Sequence, residues 1–132
     1  MGRIVTRSAS VQEIVSIYDD ASKVERSRAV ERDGVVLAIG LLVRHAAHVV
    51  YRDAPPRIER RLWLNFDTRA GAGRAALAIV RASRDMMAGI DEPVYALCDE
   101  IVHATAPQLL RLCGFAPTPE IWSGTSIWLK SR

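Results

Sequence analysis

This sequence contains few lysines and few cysteines, and it has no long apolar run. Lys23 and Lys130 are the only lysines, so arginine supplies almost all of the positive charge. The net charge is only +3, which gives no reason to expect a nucleic-acid partner. Arginine instead suits two-pronged hydrogen bonds to carboxylate or phosphate groups.

Two cysteines, Cys98 and Cys113, are too few for the disulfide framework of a small secreted domain. Both lie among apolar residues, so we expect buried, reduced thiols in a cytoplasmic protein. The first residues lack the apolar stretch of a signal peptide. The longest apolar run, residues 35–43, is far shorter than the roughly 20 residues of a membrane-spanning helix, so no membrane partner is expected.

The chain has the length and composition of one globular domain. It has 132 residues, of which 49% are hydrophobic and 25% charged. A disordered chain would be poorer in apolar residues and further from neutrality. We therefore expect residues 1–132 to form a single domain.

Apolar periodicity predicts the order of the helices and strands. Ser10 and Glu13 have the spacing of a capping box, and helical spacing then continues over residues 11–29. The helix over residues 74–89 is expected to bury Leu77 and Val80. The remaining elements are strands at 4–9, 35–43, 46–52, 58–66, 94–98, 115–117 and 125–129, with 35–52 as a hairpin, and a helix at 103–113.

This order mixes strand–helix–strand units with hairpins. Such a mixture is typical of an α/β or α+β fold. We expect a mixed central sheet of about six to seven strands with helices on both faces.

Three segments of the chain resemble one family. The strand 62–66 is followed by Arg69-Ala70-Gly71-Ala72-Gly73-Arg74 at the start of a helix. The strand 94–98 is also followed by a helix, and the leucine-rich helix 108–113 runs into Gly114 and Phe115. Over nearly the whole chain this pattern resembles the GNAT superfamily of acetyl-CoA-dependent N-acetyltransferases.

The resemblance implies that acetyl-CoA is the co-substrate and that an amine attacks its thioester directly. The cofactor would lie between the strands 62–66 and 94–98. Backbone N–H groups at the positive end of a helix bind pyrophosphate, and glycine allows its close approach. The implied cofactor-binding residues are Asn65, Phe66, Arg69, Gly71, Ala72, Gly73 and Arg74. A strand–helix connection without a ligand is the alternative for this loop.

Two departures from the family pattern concern the chemistry. With Gly71 and Gly73 on the glycines of the pattern, Thr68 stands where Arg or Gln is expected. With Arg69 at that position instead, Ala72 and Arg74 stand where the glycines are expected. Leu110 stands where many members carry a tyrosine that protonates the departing thiolate. Transfer to the unknown amine is therefore expected to be slow, or absent in a protein that keeps only the fold.

A second resemblance concerns the alternative in which the protein keeps only the fold. Residues 83–87 and the leucine-rich helix resemble small GNAT-like proteins inside the virions of short-tailed phages. This implies a non-catalytic structural or interaction role in the virion, with phage structural proteins as partners.

Three side chains are candidates for the base or proton shuttle of a transferase. Glu59 lies on the strand before the loop and could deprotonate an amine, or it pairs with Arg57 or Arg61. Asp99 ends a strand where α/β ligand sites gather, or it caps a helix. His103 could shuttle a proton, or it too caps a helix.

Metal and oligomer predictions rest on few residues. His45 and His48 lack a third ligand, so no metal site is expected. Trp63, Trp122 and Trp128 suit either a core or an interface between two copies, which leaves a homodimer open.

Overall fold

The structure is a computed structural model that describes residues 3–50, 54–69, 71–99 and 105–130. Two short 3₁₀ turns, Ala21–Lys23 and Ala72–Ala75, precede β2 and α2. The elements in chain order are β1 (Ile4–Arg7), α1 (Val11–Val15), β2 (Val24–Arg32), β3 (Val35–Val49), β4 (Arg57–Thr68), α2 (Ala76–Met87), β5 (Val94–Cys98), α3 (Ala106–Leu112), β6 (Ala116–Trp122) and β7 (Thr125–Lys130).

The strands form one mixed sheet in the order β1-β2-β3-β4-β5-β7-β6. β4 and β5 run parallel, whereas β1–β2, β2–β3, β5–β7 and β6–β7 are antiparallel pairs. The predicted mixed sheet of six to seven strands is confirmed.

The chain forms two compact units. The first comprises Met1–Val43 and Leu64–Ala88, and the second comprises Arg44–Trp63 and Gly89–Arg132. The boundaries fall inside β3 and β4, so each of these long strands contributes residues to both units.

Both faces of β3 are covered in the first unit. Ala38 belongs to an apolar cluster that includes Ile79 of α2. The neighbouring Ile39 belongs to a second cluster, which includes Ile14 of α1. Successive strand residues point to opposite faces, so α1 and α2 lie on opposite faces of this part of the sheet, as predicted.

In the second unit, apolar residues of β3, β4 and β7 share one core cluster. Its buried members include Val49, Trp63 and Ile127. Past the end of β3, Val50 exchanges two backbone hydrogen bonds with Ile121 of β6, at 3.0 and 3.3 Å. The strand β6 therefore contacts both β7 and the chain after β3.

The prediction of one helix over residues 11–29 is wrong after its first turn. The helix α1 ends at Val15, and the strand β2 occupies the last part of that range. Asp33 and Gly34, with φ of 52° and 79°, connect β2 to β3. A two-residue Asp-Gly turn of this type favours a β-hairpin, and that pairing overrides the local helical spacing.

The predicted hairpin within residues 35–52 is also wrong. The strand β3 runs without a turn from Val35 to Val49. The stretch at and after the predicted turn, Arg44 to His48, contains no glycine, proline or asparagine, the residues that favour turns. The two errors cancel in the element order, because β2 replaces part of a helix and β3 replaces two strands.

Both cysteines are buried thiols that form no disulfide within the described part of the chain, as predicted. The described part of the chain contains no helix long and apolar enough to cross a membrane.

The predicted capping box at the start of α1 is confirmed. The Glu13 N–H donates to Ser10 Oγ at 3.1 Å, and the Ser10 N–H donates to Glu13 Oε1 at 2.9 Å. Arg7 donates to both carboxylate oxygens of Glu13, at 2.7 and 3.0 Å. The bonds from Arg7 and Ser10 hold the pKa of Glu13 at about 2, below its ordinary value of 4.5.

We expect this carboxylate to make unfolding sensitive to acid. Because the folded pKa lies below the unfolded one, the stabilisation is complete above pH 4.5 and is lost as the pH falls towards 2. The Arg7 side chain is 38% exposed, so the loss should be only about 1–2 kcal/mol. Urea unfolding between pH 6 and pH 3 measures it. Glu13→Gln should flatten this pH dependence and Asp91→Asn, which removes an exposed charge, should not; equal curves for the two variants would contradict the assignment.

Candidate functional site

The segment from the end of β4 to the start of α2 contains all seven predicted cofactor-binding residues. Asn65 is exposed and Phe66 is half-buried on β4. Gly71 leaves the strand with φ of 87°, in the left-handed region. A side chain there would be strained, which explains why glycine occupies this position.

A bulge in β3 fixes where this loop begins. Val30 pairs with Ala38 and Glu31 with Val36, so Leu37 is an extra residue without a partner on β2. Its carbonyl oxygen accepts a hydrogen bond of 2.8 Å from the Arg69 N–H. Bulges often re-aim the chain next to functional sites, and this one ties the loop to the neighbouring strand.

The loop amides are only partly available to a ligand. The Ala72 N–H donates to the Arg69 carbonyl at 3.0 Å, and the Arg74 N–H donates to the Gly71 carbonyl at 3.3 Å. With Arg69 bonded to Leu37, three of the predicted amides are therefore engaged. Ala72 is buried in the core cluster of the first unit.

The outer face of the loop fits an anion. Arg69, Gly71, Gly73 and Arg74 are exposed, and a Cβ built on Gly73 would meet no atom within 4 Å. Among the residues that the structure describes, no side chain caps the turn at Gly71 or the start of α2. Guanidinium groups beside an uncapped, positive helix end suit a phosphate group.

Glu59 lies on the part of β4 that belongs to the second unit. Its carboxylate accepts hydrogen bonds of 2.6 and 2.9 Å from Arg61 and forms an ion pair of 3.1 Å with Arg57. The ion-pair alternative weighed for Glu59 is therefore what the structure contains.

Sequence reasoning missed a larger ionic cluster around this pair. Arg61, predicted from the sequence only as a possible ion-pair partner of Glu59, is only 6% exposed. It donates to both carboxylate oxygens of Glu120 at 2.8 Å, and its guanidinium lies 4.0 Å from the ring centre of Tyr95. Burial lowers the pKa of Arg61, but the bonds to Glu120 and Glu59 outweigh it and keep the pKa above its usual value.

The other two catalytic candidates, Asp99 and His103, come after β5 in the chain. Asp99 is half-buried directly after β5. His103 lies outside the described residues. The structure therefore brings together the cofactor-binding candidates on one segment, and it holds Glu59 in a separate cluster with arginines.

The end of α3 has the predicted geometry. Gly114 has φ of 96°. Its N–H donates to the Arg111 carbonyl at 3.0 Å, and the Phe115 N–H donates to the Leu110 carbonyl at 2.9 Å. These two bonds form a Schellman motif, which confirms the predicted helix end at Gly114. The Leu110 side chain has no proton to donate.

No group of three or more possible metal ligands from His, Cys, Asp and Glu occurs among the described residues. His45 contacts Trp122, with ring centres 5.6 Å apart, and its carbonyl oxygen accepts a bond of 3.2 Å from Trp63 Nε1.

Comparison with solved structures identifies the fold. A GNAT-family acetyltransferase from Streptococcus agalactiae 2603 aligns with a TM-score of 0.60 and 12% identity, over 98% of this chain and 95% of that one. A putative GnaT-family acetyltransferase from Bordetella pertussis aligns with a TM-score of 0.53 and 14% identity, over 89% of this chain and 68% of that one. No protein-family model and no curated protein matches the sequence. The chain has the GNAT fold, and neither neighbour supports the virion-protein alternative.

Proposed function

We propose that this protein binds an acyl-CoA, with acetyl-CoA as the first candidate, and transfers the acyl group to an amine. The observation that carries the proposal is the β4–loop–α2 segment of the first unit. There, the bulge at Leu37 holds the start of the loop, and Gly71 turns it into an uncapped helix end. The GNAT fold of the solved neighbours supports this interpretation.

In this proposal the exposed part of the loop holds the pyrophosphate. Arg69 and Arg74 supply positive charge, and Gly71 and Gly73 let phosphate oxygens approach the backbone. The side chain of Phe66 packs against the core of the first unit. Phenylalanine has no polar side-chain atom, so in this proposal the backbone of Phe66, with that of Asn65, hydrogen-bonds the acyl group. A bound thioester would supply an activated carbonyl for direct attack by the amine.

The proposal leaves the base open between Glu59 and Asp99. The Glu59 carboxylate accepts bonds from Arg61 and pairs with Arg57, and Asp99 also interacts with other groups of the protein, so neither carboxylate is singled out as the proton acceptor.

Ligand-dependent stabilisation tests the cofactor site directly. Acetyl-CoA at 100 times its dissociation constant should add about 2.7 kcal/mol to the free energy of unfolding. Gly71→Glu should abolish this gain, because it places bulk and negative charge where the phosphates bind. The measurement is thermal unfolding with and without acetyl-CoA.

Gly89 provides a matched control for Gly71→Glu. It also has a positive φ, of 76°, and a Cβ there would meet no atom within 4 Å. Gly89→Glu should therefore carry similar backbone strain yet keep the stabilisation by acetyl-CoA. Equal stabilisation of both variants would overturn the loop assignment.

The leucine at position 110 predicts slow turnover. Without a general acid the thiolate must leave unassisted, and such assistance is typically worth about 10²–10⁴-fold. We expect kcat below roughly 1 s⁻¹ and a higher kcat, at unchanged acetyl-CoA affinity, for Leu110→Tyr. Thiol release followed with a chromogenic reagent measures both. Fast turnover by the unmodified protein would show that another residue donates the proton.

A further inference from the structure

A cavity of about 430 Å³ opens at the C-terminal end of α2, within the first unit. The side chains that matter for its chemistry are Ser8, Glu25, Arg26, Ser27, Arg28 and Asp85. Pockets for apolar ligands are lined mainly by hydrophobic side chains, so this cavity suits a charged ligand group.

Two arginines present nitrogen donors in this cavity. Nη1 of Arg26 donates to the carbonyl oxygens of Met86 and Ala88, both at 2.7 Å, and so offsets the negative end of α2. Nη1 of Arg28 donates to the Ser27 carbonyl at 3.2 Å and to Ser8 Oγ at 3.4 Å. Within the described part of the chain, these bonds use one nitrogen of each guanidinium, and the other donors remain for a carboxylate.

The exposed face of α2 leads towards this cavity. Leu77, Arg81 and Arg84 follow one another at the spacing that places residues on one helix face, and Asp85 lies beside them. The predicted burial of Leu77 is wrong, since its side chain is 69% exposed. The buried face is instead formed by residues such as Ile79 and Ala82, which share a core cluster with Val30 and Ala38 of the sheet.

The charge of this surface indicates what it binds. We define the α2 surface as Leu77, Arg81, Arg84 and the six cavity residues above. Its four arginines exceed its two carboxylates by two charges, most of the net +3 of the whole chain. Arginine beside an exposed apolar residue is typical of protein interfaces.

We propose that the α2 surface docks an acidic polypeptide segment that carries a leucine-like side chain. Its apolar side chain would pack on Leu77, and its carboxylates would bind Arg81 and, in the cavity, Arg28. A nucleic acid fits less well, because the α2 surface offers no aromatic side chain on which a base could stack. The surface leaves out the loop residues 69–74, so it is independent of the proposed cofactor site.

A labelled model peptide tests the proposal. Fluorescence anisotropy is measured with fluorescein-labelled peptides of Glu-Glu-Leu repeats, of Gln-Gln-Leu repeats and of glutamate alone, and with a labelled single-stranded oligonucleotide. The Glu-Glu-Leu peptide should bind most tightly, and added NaCl should weaken its binding. Tighter binding of the oligonucleotide, or equal binding of the Gln-Gln-Leu peptide, would overturn the proposal.

Surface variants locate the binding. Arg81→Glu should weaken binding of the Glu-Glu-Leu peptide by about tenfold. Leu77→Gln should lower the affinity for the Glu-Glu-Leu peptide towards the affinity for the glutamate-only peptide. Asp85→Asn should tighten it. Arg60→Glu, which makes the same charge change at an exposed position of β4, should alter it little.

Each of these substitutions is at an exposed residue, so the helical circular dichroism should be unchanged. The response to acetyl-CoA should also stay the same in Arg81→Glu, which separates this proposal from the proposed function. Equal affinities of Arg81→Glu and Arg60→Glu would place the binding elsewhere and refute the α2 surface.

Discussion

Replacing Arg61 by alanine should destabilise the fold by about 3–5 kcal/mol. Arg61 is 6% exposed and stands between the carboxylates of Glu59 and Glu120. Its removal leaves Glu120, whose side chain is only 12% exposed, without its guanidinium partner. It also removes the cation packed on Tyr95. Since small domains are stable by only about 5–15 kcal/mol, the variant should be close to unfolding.

Urea unfolding followed by tryptophan fluorescence measures this loss, because Trp63 lies two residues from Arg61 on β4. Arg60→Ala is the matched control, since Arg60 is the exposed neighbour on the same strand, and its effect should stay within about 0.5 kcal/mol. Arg61→Lys should recover only part of the stability, because lysine cannot form the two-pronged bonds. Similar unfolding midpoints for Arg61→Ala and Arg60→Ala would refute a structural role for the cluster.

This cluster shows why the sequence revealed only part of the contacts around Glu59. Glu59 and Arg61 lie two positions apart on β4 and so share one strand face, and charged residues at this spacing are typical of a face exposed to water. Arg61 is buried because Glu120, 59 residues later in the chain, pairs with it. No local pattern contains that contact. Trp63 on the same strand face was the one available signal that this face is covered.

The glycine-containing turn of the candidate cofactor loop could be located in the sequence because its signals are local. Glycine at Gly71, small residues after it and a helix start all lie within a few positions. The bulge at Leu37 that anchors Arg69 depends on the pairing of β2 with β3, and the sequence had placed much of β2 in a helix. The fold class therefore followed from the element order, whereas the details that position the loop required the strand pairing.

Gly40 should be among the least replaceable glycines of the first unit. A Cβ on Gly40 would lie 2.6 Å from Cε1 and 2.7 Å from Cε2 of Phe66, and closer still to Cζ. The ring cannot move away freely, because it packs against the cluster that contains Leu37 and Ala38. We expect Gly40→Ala to lower the free energy of unfolding by about 1–3 kcal/mol, as overpacked cores do.

A double-mutant cycle with Phe66→Leu separates steric conflict from any intrinsic effect of alanine in β3. The smaller side chain of leucine leaves room for the new Cβ, so Gly40→Ala should cost less in the Phe66→Leu background than in the unmodified protein. Gly73→Ala is the control for adding a methyl group, because a Cβ there would meet no atom within 4 Å. Strictly additive losses would show that Phe66 is not what requires glycine at position 40. A coupling of about 1 kcal/mol or more would show that position 40 requires glycine because the Phe66 ring packs against it. Phe66 lies at the end of β4 from which the loop departs, so this contact would also position the start of the loop.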